Sequence, residues 1–295
     1  MFYRICFDLI PAFFLIATAF ITNKLIISAV NPDLFVFVRM LLSGTLLFVL
    51  FCNKKTNIEA KKNFWHIILI SIFTTFIPSL LKAYALQTLS ASRASFWGSF
   101  EPFFAAIYLY FLYGQKLTFQ QIAGCSIGII GSIFFIYTQD CISLKTKGLF
   151  MIADFLIILN FLFSRYGWIK AQEMLNKKSI LLPQQLNAYA FMASGIMALI
   201  VSIVKGNAKE IFTVNWSPML LFLFAFTILF GNMIAYTMYG YALKKYNITL
   251  ISLAGLSVPL FTHLMGPFIF NESISIYFFI SLSFLFTGLY VFYKK

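Results

Sequence analysis

The sequence predicts an all-α membrane protein with ten transmembrane helices, arranged as two inverted five-helix repeats with both termini on the cytoplasmic side. Three observations lead to this prediction. Of the 295 residues, 61% are hydrophobic and only 11% are charged, whereas soluble domains carry about 25% charged residues. Apolar runs long enough to cross a bilayer recur along the whole chain. The second half of the chain also repeats a residue pattern of the first half.

The apolar runs define the predicted spans. A bilayer core of about 30 Å requires about 20 helical residues. Runs of this length lie at 7–30, 34–52, 65–85, 92–113, 118–138, 148–169, 184–204, 216–241, 248–270 and 274–293. The first run, which follows Arg4 and contains Ala17-Thr18-Ala19, also resembles a signal peptide. We interpret it as an uncleaved first helix, because the apolar run continues to Val30 and cleavage would remove part of the repeat.

The positions of lysine and arginine set the predicted orientation. With the N-terminus inside, 13 of these residues lie in cytoplasmic connections and termini, and 5 lie in the opposite connections. This asymmetry favours cytoplasmic termini. It also accounts for the net charge of +13 without nucleic acid, since no nucleic-acid-reading motif accompanies the charge. The four cysteines show neither CxxC spacing nor paired histidines, so we expect no metal site and no cofactor.

The internal repeat is clearest where residues 83–136 align without a gap onto residues 240–293, at an offset of 157. Glycine and proline matches carry the most weight, since each imposes a specific backbone condition. They are Gly98 with Gly255, Gly131 with Gly288, Pro102 with Pro259 and, upstream at a shorter offset, Gly44 with Gly195. Each half holds five spans, and an odd number inverts the second half in the membrane. The predicted repeats are 1–140 and 141–295.

A set of short motifs is distributed over the two halves. They are Pro32-x6-Arg39, Pro102, Gly114-Gln115-Lys116-Leu117-Thr118, Pro259 and Asn271-Glu272-Ser273-Ile274-Ser275. Together they resemble the EamA-type carriers of the drug/metabolite transporter superfamily, over nearly the whole chain. Gln115 and Asn271 depart from the family's usual Glu and Gly, but both lie in turns. The resemblance implies a transporter whose first, third, fourth, sixth, eighth and ninth spans line a central cavity.

Glu101 is the clearest candidate for a functional residue, because a charge within a membrane span costs about 2.5–3.5 kcal/mol on insertion scales. Pro102 follows it directly and should kink or loosen the helix, since proline has no N–H to donate. A carboxylate beside a helix break suits a cation or a proton. The alternative is an internal ion pair with Lys82 or Arg93.

Further candidates lie in the other predicted spans. His263 is, with Glu101, a candidate for proton coupling, although it could instead be a hydrogen-bonded core histidine. The remaining predicted substrate-binding residues are Lys24, Lys82, Asp154, Arg165, Trp97, Tyr84, Asn160, Asn232 and Tyr236. Lys24 and Lys82 could instead extend to the membrane surface, asparagines could join helices, and aromatic residues could serve packing. We expect Arg39 to anchor a helix end near the outer surface.

Both charge signs among these candidates predict a zwitterionic solute, moved by alternating access across the bacterial inner membrane. An amino acid fits. An amino-acid-bearing compound such as S-adenosylmethionine fits too, and the resemblance extends to S-adenosylmethionine carriers of intracellular bacteria. The alternatives are an exporter of cationic drugs or amines and a non-transport membrane subunit. The sequence contains no HExxH motif, which would indicate an enzyme. The expected partners are the solute and membrane lipid but not nucleic acid, and the expected state is a monomer or homodimer.

Overall fold

The computed structural model describes residues 2–114, 118–142, 152–176, 181–246, 248–270 and 276–293. Within these ranges every regular element is a helix. The predicted all-α class is therefore confirmed for the described part of the chain. The two turn motifs around Gln115 and Asn271 lie outside the described residues.

The helices follow the predicted runs closely. They are α1 (Phe2–Ile27), α2 (Pro32–Phe51), α3 (Lys54–Lys62), α4 (Phe64–Thr88), α5 (Ala91–Phe96), α6 (Glu101–Tyr113), α7 (Phe119–Ile142), α8 (Ile152–Asn176), α9 (Pro183–Val204), α10 (Pro218–Lys245), α11 (Ile248–Ala254), α12 (Ser257–Phe270) and α13 (Ile276–Tyr293). Short 3-10 helices lie at Trp97–Phe100 and Asn207–Phe212. Helix α3 lies in the connection between the predicted spans 34–52 and 65–85, where the sequence predicted no helix.

Seven stretches of the described chain are long and apolar enough to cross a membrane. They are Leu9–Ile27, Pro32–Phe51, Phe64–Thr88, Ile152–Asn176, Pro183–Val204, Pro218–Lys245 and Leu250–Phe270. Shorter apolar helices lie at Phe119–Gly131 and Ile276–Phe292. The chain is thus a multi-pass membrane protein. The count of ten spans, which adds α5 with α6, α7 and α13, stays a prediction.

Two of the long helices contain a π-helical segment. One lies at Ile72–Phe76 in α4 and the other at Thr227–Ile234 in α10. In α4 the cause is visible, because the Thr74 hydroxyl donates to the carbonyl of Ile70 at 2.7 Å and Pro78 has no N–H to donate. Adding the offset of 157 to 72–76 gives 229–233, which lies inside the second segment. The same offset therefore relates the two irregular segments.

Two other helices are broken rather than bent. The 3-10 segment Trp97–Phe100 separates α5 from α6, and Gly255 and Leu256 separate α11 from α12. Adding 157 to Gly98 gives Gly255. The sequence predicted that Pro102 kinks or loosens its helix. The N–H of Glu101 donates to the carbonyl of Gly98, and Pro102 has no N–H to donate, so the 3-10 segment lies directly before the proline. The predicted disturbance is therefore present in the turn that precedes Pro102.

Close helix pairs build the body of the protein. Helix α2 packs along α9 and α7 packs along α13, while α4 packs on α8 and α1 on α10 and α12. Glycine allows the first pair to approach. A Cβ atom on Gly44 would lie 2.5 Å from the backbone nitrogen of Met192, and one on Gly195 would lie 2.7 Å from that of Leu41. Small residues at such crossings let helix backbones come into contact in a membrane.

We expect Gly195→Leu to destabilise the protein strongly, because the new side chain meets the backbone of α2 rather than a movable side chain. Overpacking of this kind costs about 1–3 kcal/mol or more. Thermal unfolding of the detergent-solubilised protein would show it as a lower midpoint. The control is Ile196→Ala on the same turn, whose side chain is 51% exposed and should change the midpoint little. An unchanged midpoint in Gly195→Leu would contradict the close crossing.

Candidate substrate-binding site

A cavity lies between the helices, next to the irregular segments. Its lining comprises Phe13, Ile16, Ala19, Phe20, Arg39, Thr74, Pro78, Ser79, Lys82, Ser95, Gly98, Glu101, Asn160, Phe161, Ser164, Trp168, Gly231, Asn232, Tyr236, Tyr239, Gly255 and Val258. Both π-helical segments and both helix breaks contribute residues to it.

The aromatic wall of the cavity comes from regular helical spacing on α8 and α10. Asn160, Ser164 and Trp168 are four residues apart on α8, so they share one face. On α10, Tyr236 and Tyr239 are three residues apart. Trp168 stacks against both tyrosines, with ring centroids 5.5 Å from Tyr236 and 4.5 Å from Tyr239. The result is a broad apolar surface with two phenol hydroxyl groups.

Glu101 presents a carboxylate at the break between α5 and α6. Its Oε2 accepts from the guanidinium of Arg165, whose side chain is completely buried, whereas that of Glu101 is 16% exposed. Arg165 also donates to the hydroxyl of Tyr239 at 3.3 Å. A Cβ on Gly255 would lie only 3.6 Å from the Glu101 carboxylate. Glu101 thus faces the cavity with its counter-ion behind it. The alternative of an internal ion pair for Glu101 is therefore present, but its partner is Arg165, and the predicted partners Lys82 and Arg93 are wrong.

Two cationic side chains face the same cavity. The Lys82 ammonium lies 5.0 Å from the ring centroid of Phe20 and has neither a hydrogen bond nor an ion pair within the described residues. The Arg39 guanidinium donates to Ser79 Oγ at 3.0 Å and lies over the Phe35 ring at 4.8 Å. Arg39 was expected at a helix end, but it lies fully buried inside α2 and lines the cavity. The charged lining of the described cavity is therefore two cations and one carboxylate.

The two predicted asparagines both line the cavity and tie helices together. Asn160 fits with its amide nitrogen 2.9 Å from the carbonyl oxygen of Pro78, which joins α8 to α4. Asn232 donates to Ser43 Oγ at 2.9 Å, which joins α10 to α2. The Oδ1 atom of Asn232 is buried without a hydrogen-bond partner in the described chain.

Asp154 lies outside the cavity lining and is held by two neighbours. Arg93 donates to both carboxylate oxygens, from Nε at 2.9 Å and from a terminal nitrogen at 2.8 Å. The indole N–H of Trp97 donates to Oδ1 at 2.9 Å. All three side chains are buried. This cluster joins α5 and the following 3-10 segment to α8, and it places Trp97 beside Asp154 rather than in the cavity.

Three more predicted residues lie outside the lining. The Lys24 ammonium donates to the carbonyl of Leu86 at 2.6 Å, where a cation suits the end of α4. Tyr84 donates to Asp33 Oδ1 at 2.5 Å and accepts from Lys205 at 2.6 Å. That second bond raises the pKa of Lys205, so the lysine stays charged beside Asp33. His263 is buried and stacks on Phe278, with ring centroids 3.9 Å apart.

The structure thus brings five of the predicted residues to one cavity and places Arg165 directly behind them. The five are Lys82, Glu101, Asn160, Asn232 and Tyr236. Sequence reasoning missed Arg39, Trp168 and Tyr239 as cavity residues. The last two could have been found from helical spacing, since Trp168 is eight residues after Asn160 and Tyr239 is three after Tyr236.

Comparison with known proteins shows to which family the chain belongs. The sequence model of the EamA-like transporter family matches residues 5–137 and 151–294, which is nearly the whole chain. The chain belongs to the EamA-like transporter family. It is therefore a membrane transporter by family, and the earlier resemblance is confirmed. A small-molecule substrate follows from this membership.

Three relatives of this chain come from Chlamydia. The S-adenosylmethionine/S-adenosylhomocysteine transporters of Chlamydia trachomatis serovars L2 and D are each 27% identical to this chain over 269 residues, which is 88% of this chain and 80% of theirs. The protein of the same name from Chlamydia muridarum is 26% identical over 88% of this chain and 82% of its own. A solved crystal structure shares the fold, with a TM-score of 0.67 at 13% identity, over 98% of this chain and 96% of that one.

Proposed function

We propose that this EamA-like transporter is a secondary carrier that exchanges S-adenosylmethionine and S-adenosylhomocysteine across the bacterial inner membrane. The observation that carries the proposal is the cavity, in which Glu101, Lys82 and the Trp168 ring face one space. Each matches one part of such a solute. The names of the chlamydial relatives support the same solute pair.

The solute's groups have distinct complements in the lining. A carboxylate can accept hydrogen bonds at about four sites, so Glu101 can bind the solute's ammonium while keeping Arg165. Lys82, which has no anionic partner in the described lining, is assigned to the solute's carboxylate. The adenine ring fits the aromatic wall of Trp168, Tyr236 and Tyr239, since stacking and a polar ring tip are both offered there. The solute would thus neutralise a cation and cover apolar surface.

Transport by alternating access rests on the inverted repeat, with repeats at 1–140 and 141–295 and ten spans in all. Its support is the offset of 157, which relates the two π-helical segments and the two helix breaks. Helix pairing has the same pattern, because α4 on α8 corresponds to α10 on α1. We also propose cytoplasmic termini, from the excess of lysine and arginine in one set of connections.

We expect liposomes that contain the purified protein and internal S-adenosylhomocysteine to take up labelled S-adenosylmethionine with saturation. Internal S-adenosylhomocysteine should stimulate the uptake, because exchange returns the loaded cavity to the outside. Liposomes without protein, and the same liposomes offered a labelled organic amine that has no carboxylate, are the controls. Uptake of the amine but not of S-adenosylmethionine would contradict the proposal and indicate a carrier of cationic compounds.

Lys82→Met should raise the KM for S-adenosylmethionine more than it lowers the maximal rate. Loss of a hydrogen bond between charged groups costs about 1.5–3 kcal/mol, or roughly 10- to 150-fold in affinity. Lys82→Arg keeps the charge and should restore most of the affinity. Lys209→Met removes an exposed lysine that does not line the cavity, and it is the charge-matched control. Equal KM values for wild type and Lys82→Met would remove Lys82 from the site.

A further inference from the structure

Helix α3 is a short basic helix at a membrane boundary. It lies between the end of the span Pro32–Phe51 and the start of the span Phe64–Thr88, so both of its ends adjoin the bilayer surface. Four of its nine residues are lysines, and Glu59 is its only acidic residue. The lysines are Lys54, Lys55, Lys61 and Lys62, and all of them are exposed.

One face of α3 is fixed to the protein. Thr56 and Ala60, four residues apart, are buried. The hydroxyl of Tyr189 on α9 donates to Asn57 Oδ1 at 2.6 Å, and Asn53 closes a capping box with Thr56. The helix is therefore held rigidly, and its lysines form a surface of defined position.

The exposed side of the same segment is also apolar. Ile58 is 59% exposed, Phe64 is 51% exposed and Trp65 is 78% exposed. Tryptophan next to basic residues at the end of a span is typical of the membrane–water interface. The apolar side chains can enter the acyl boundary while the lysines remain at the level of the headgroups.

Helix stability accounts for only half of this pattern. Lys61 and Lys62 lie in the last turn of α3, where positive charge suits the helix dipole. Lys54 and Lys55 lie in the first turn, where positive charge opposes it. Among the lysines of α3 no ion pair is recorded in the described structure, since Glu59 accepts a hydrogen bond from Asn63 instead. The two lysine pairs are seven residues apart, or about 10 Å along the helix. A partner with negative charge in the plane of the membrane surface fits this arrangement.

We propose that α3, with Trp65, is a binding site for anionic phospholipid headgroups. The site lies outside the transport cavity and does not depend on the identity of the transported solute. Basic clusters next to a span attract anionic lipid, and each lysine near the surface contributes about fivefold in affinity. Binding at α3 also stabilises the contact of this helix with α9, because Tyr189 holds the two together.

The test uses the full chain in lipid nanodiscs of phosphatidylcholine with and without phosphatidylglycerol. We expect phosphatidylglycerol to raise the thermal unfolding midpoint and to remain bound in native mass spectrometry. Lys54→Gln/Lys55→Gln/Lys61→Gln/Lys62→Gln should lose most of that shift and retain fewer phosphatidylglycerol molecules. The control Lys145→Gln/Lys147→Gln/Lys209→Gln removes charge from other connections and should behave like wild type.

A salt series on the wild-type protein tests the proposal without any variant. At about 1 M salt, where the Debye length is about 3 Å, the phosphatidylglycerol shift should disappear if lysines carry it. Persistence of the full shift at high salt, or of the full lipid count in the quadruple variant, would overturn the proposal. An equal loss in the control variant would show that only the net charge matters, which would also overturn it.

Discussion

Removal of either charge of the Glu101–Arg165 pair is expected to lower the folded yield and to abolish transport, whereas removal of both charges should restore the folded yield alone. A single substitution, such as Arg165→Gln, leaves a carboxylate in the membrane interior without its counter-ion. Breaking a buried pair in this way costs about 3–5 kcal/mol, against a total stability of about 5–15 kcal/mol. The double variant Glu101→Gln/Arg165→Gln has no unpaired charge, so its folded yield should recover.

Transport should stay lost in the double variant, because Glu101 is the carboxylate that faces the cavity within the described structure. Size-exclusion chromatography and thermal unfolding report the fold, and uptake of S-adenosylmethionine into liposomes reports the activity. Recovery of uptake together with folding would show that the pair is only structural. Such a result would remove Glu101 from both solute binding and proton coupling.

The Arg93–Asp154 pair should behave differently, because it lies outside the cavity lining. Arg93→Leu alone is expected to lower the free energy of unfolding, again by about 3–5 kcal/mol, because it leaves a fully buried carboxylate without its counter-ion. The double variant Arg93→Leu/Asp154→Asn removes both charges and keeps an oxygen to accept from Trp97. We expect it to regain both the folded yield and the rate of S-adenosylmethionine uptake.

The comparison of the two double variants separates a structural ion pair from a functional one. Both remove one arginine charge and one carboxylate from the membrane interior, so general effects of charge loss are matched. A folded Arg93→Leu/Asp154→Asn protein without uptake would indicate that Asp154 contacts the solute, as its sequence position alone predicted. Uptake at the wild-type rate would place its role in holding α5 against α8.

The helices themselves were predictable from the sequence, because apolar runs of about 20 residues have few alternatives in a membrane. The irregularities inside them were not. Pro102 indicated a disturbance in the chain but not its form, since proline can either bend a helix or begin one. The π-helical segment of α4 depends on the carbonyl to which the Thr74 hydroxyl donates, and that of α10 on the packing around Gly231. The sequence of a single helix reveals neither.

The cavity was predictable only in part. The family resemblance implied which spans line the cavity, and Asn160, Asn232 and Tyr236 on those spans do line it. Helical spacing identifies residues on one face of a helix. Spacing does not identify partners on another helix. It could not show that Glu101 pairs with Arg165, or that Asp154 pairs with Arg93. These pairings depend on how the helices are positioned against one another in the packed structure.

The two π-helical turns give α4 and α10 a means of changing shape without unfolding. A π turn holds one residue more than an α turn. Converting it to α geometry draws the following segment along by about 1.5 Å and rotates it by about 100°. Lys82 follows the first π segment and Tyr239 follows the second, so each would turn relative to the cavity as its helix rewound. Each of the two π-helical segments therefore links the length of its helix to the orientation of a residue that lines the cavity.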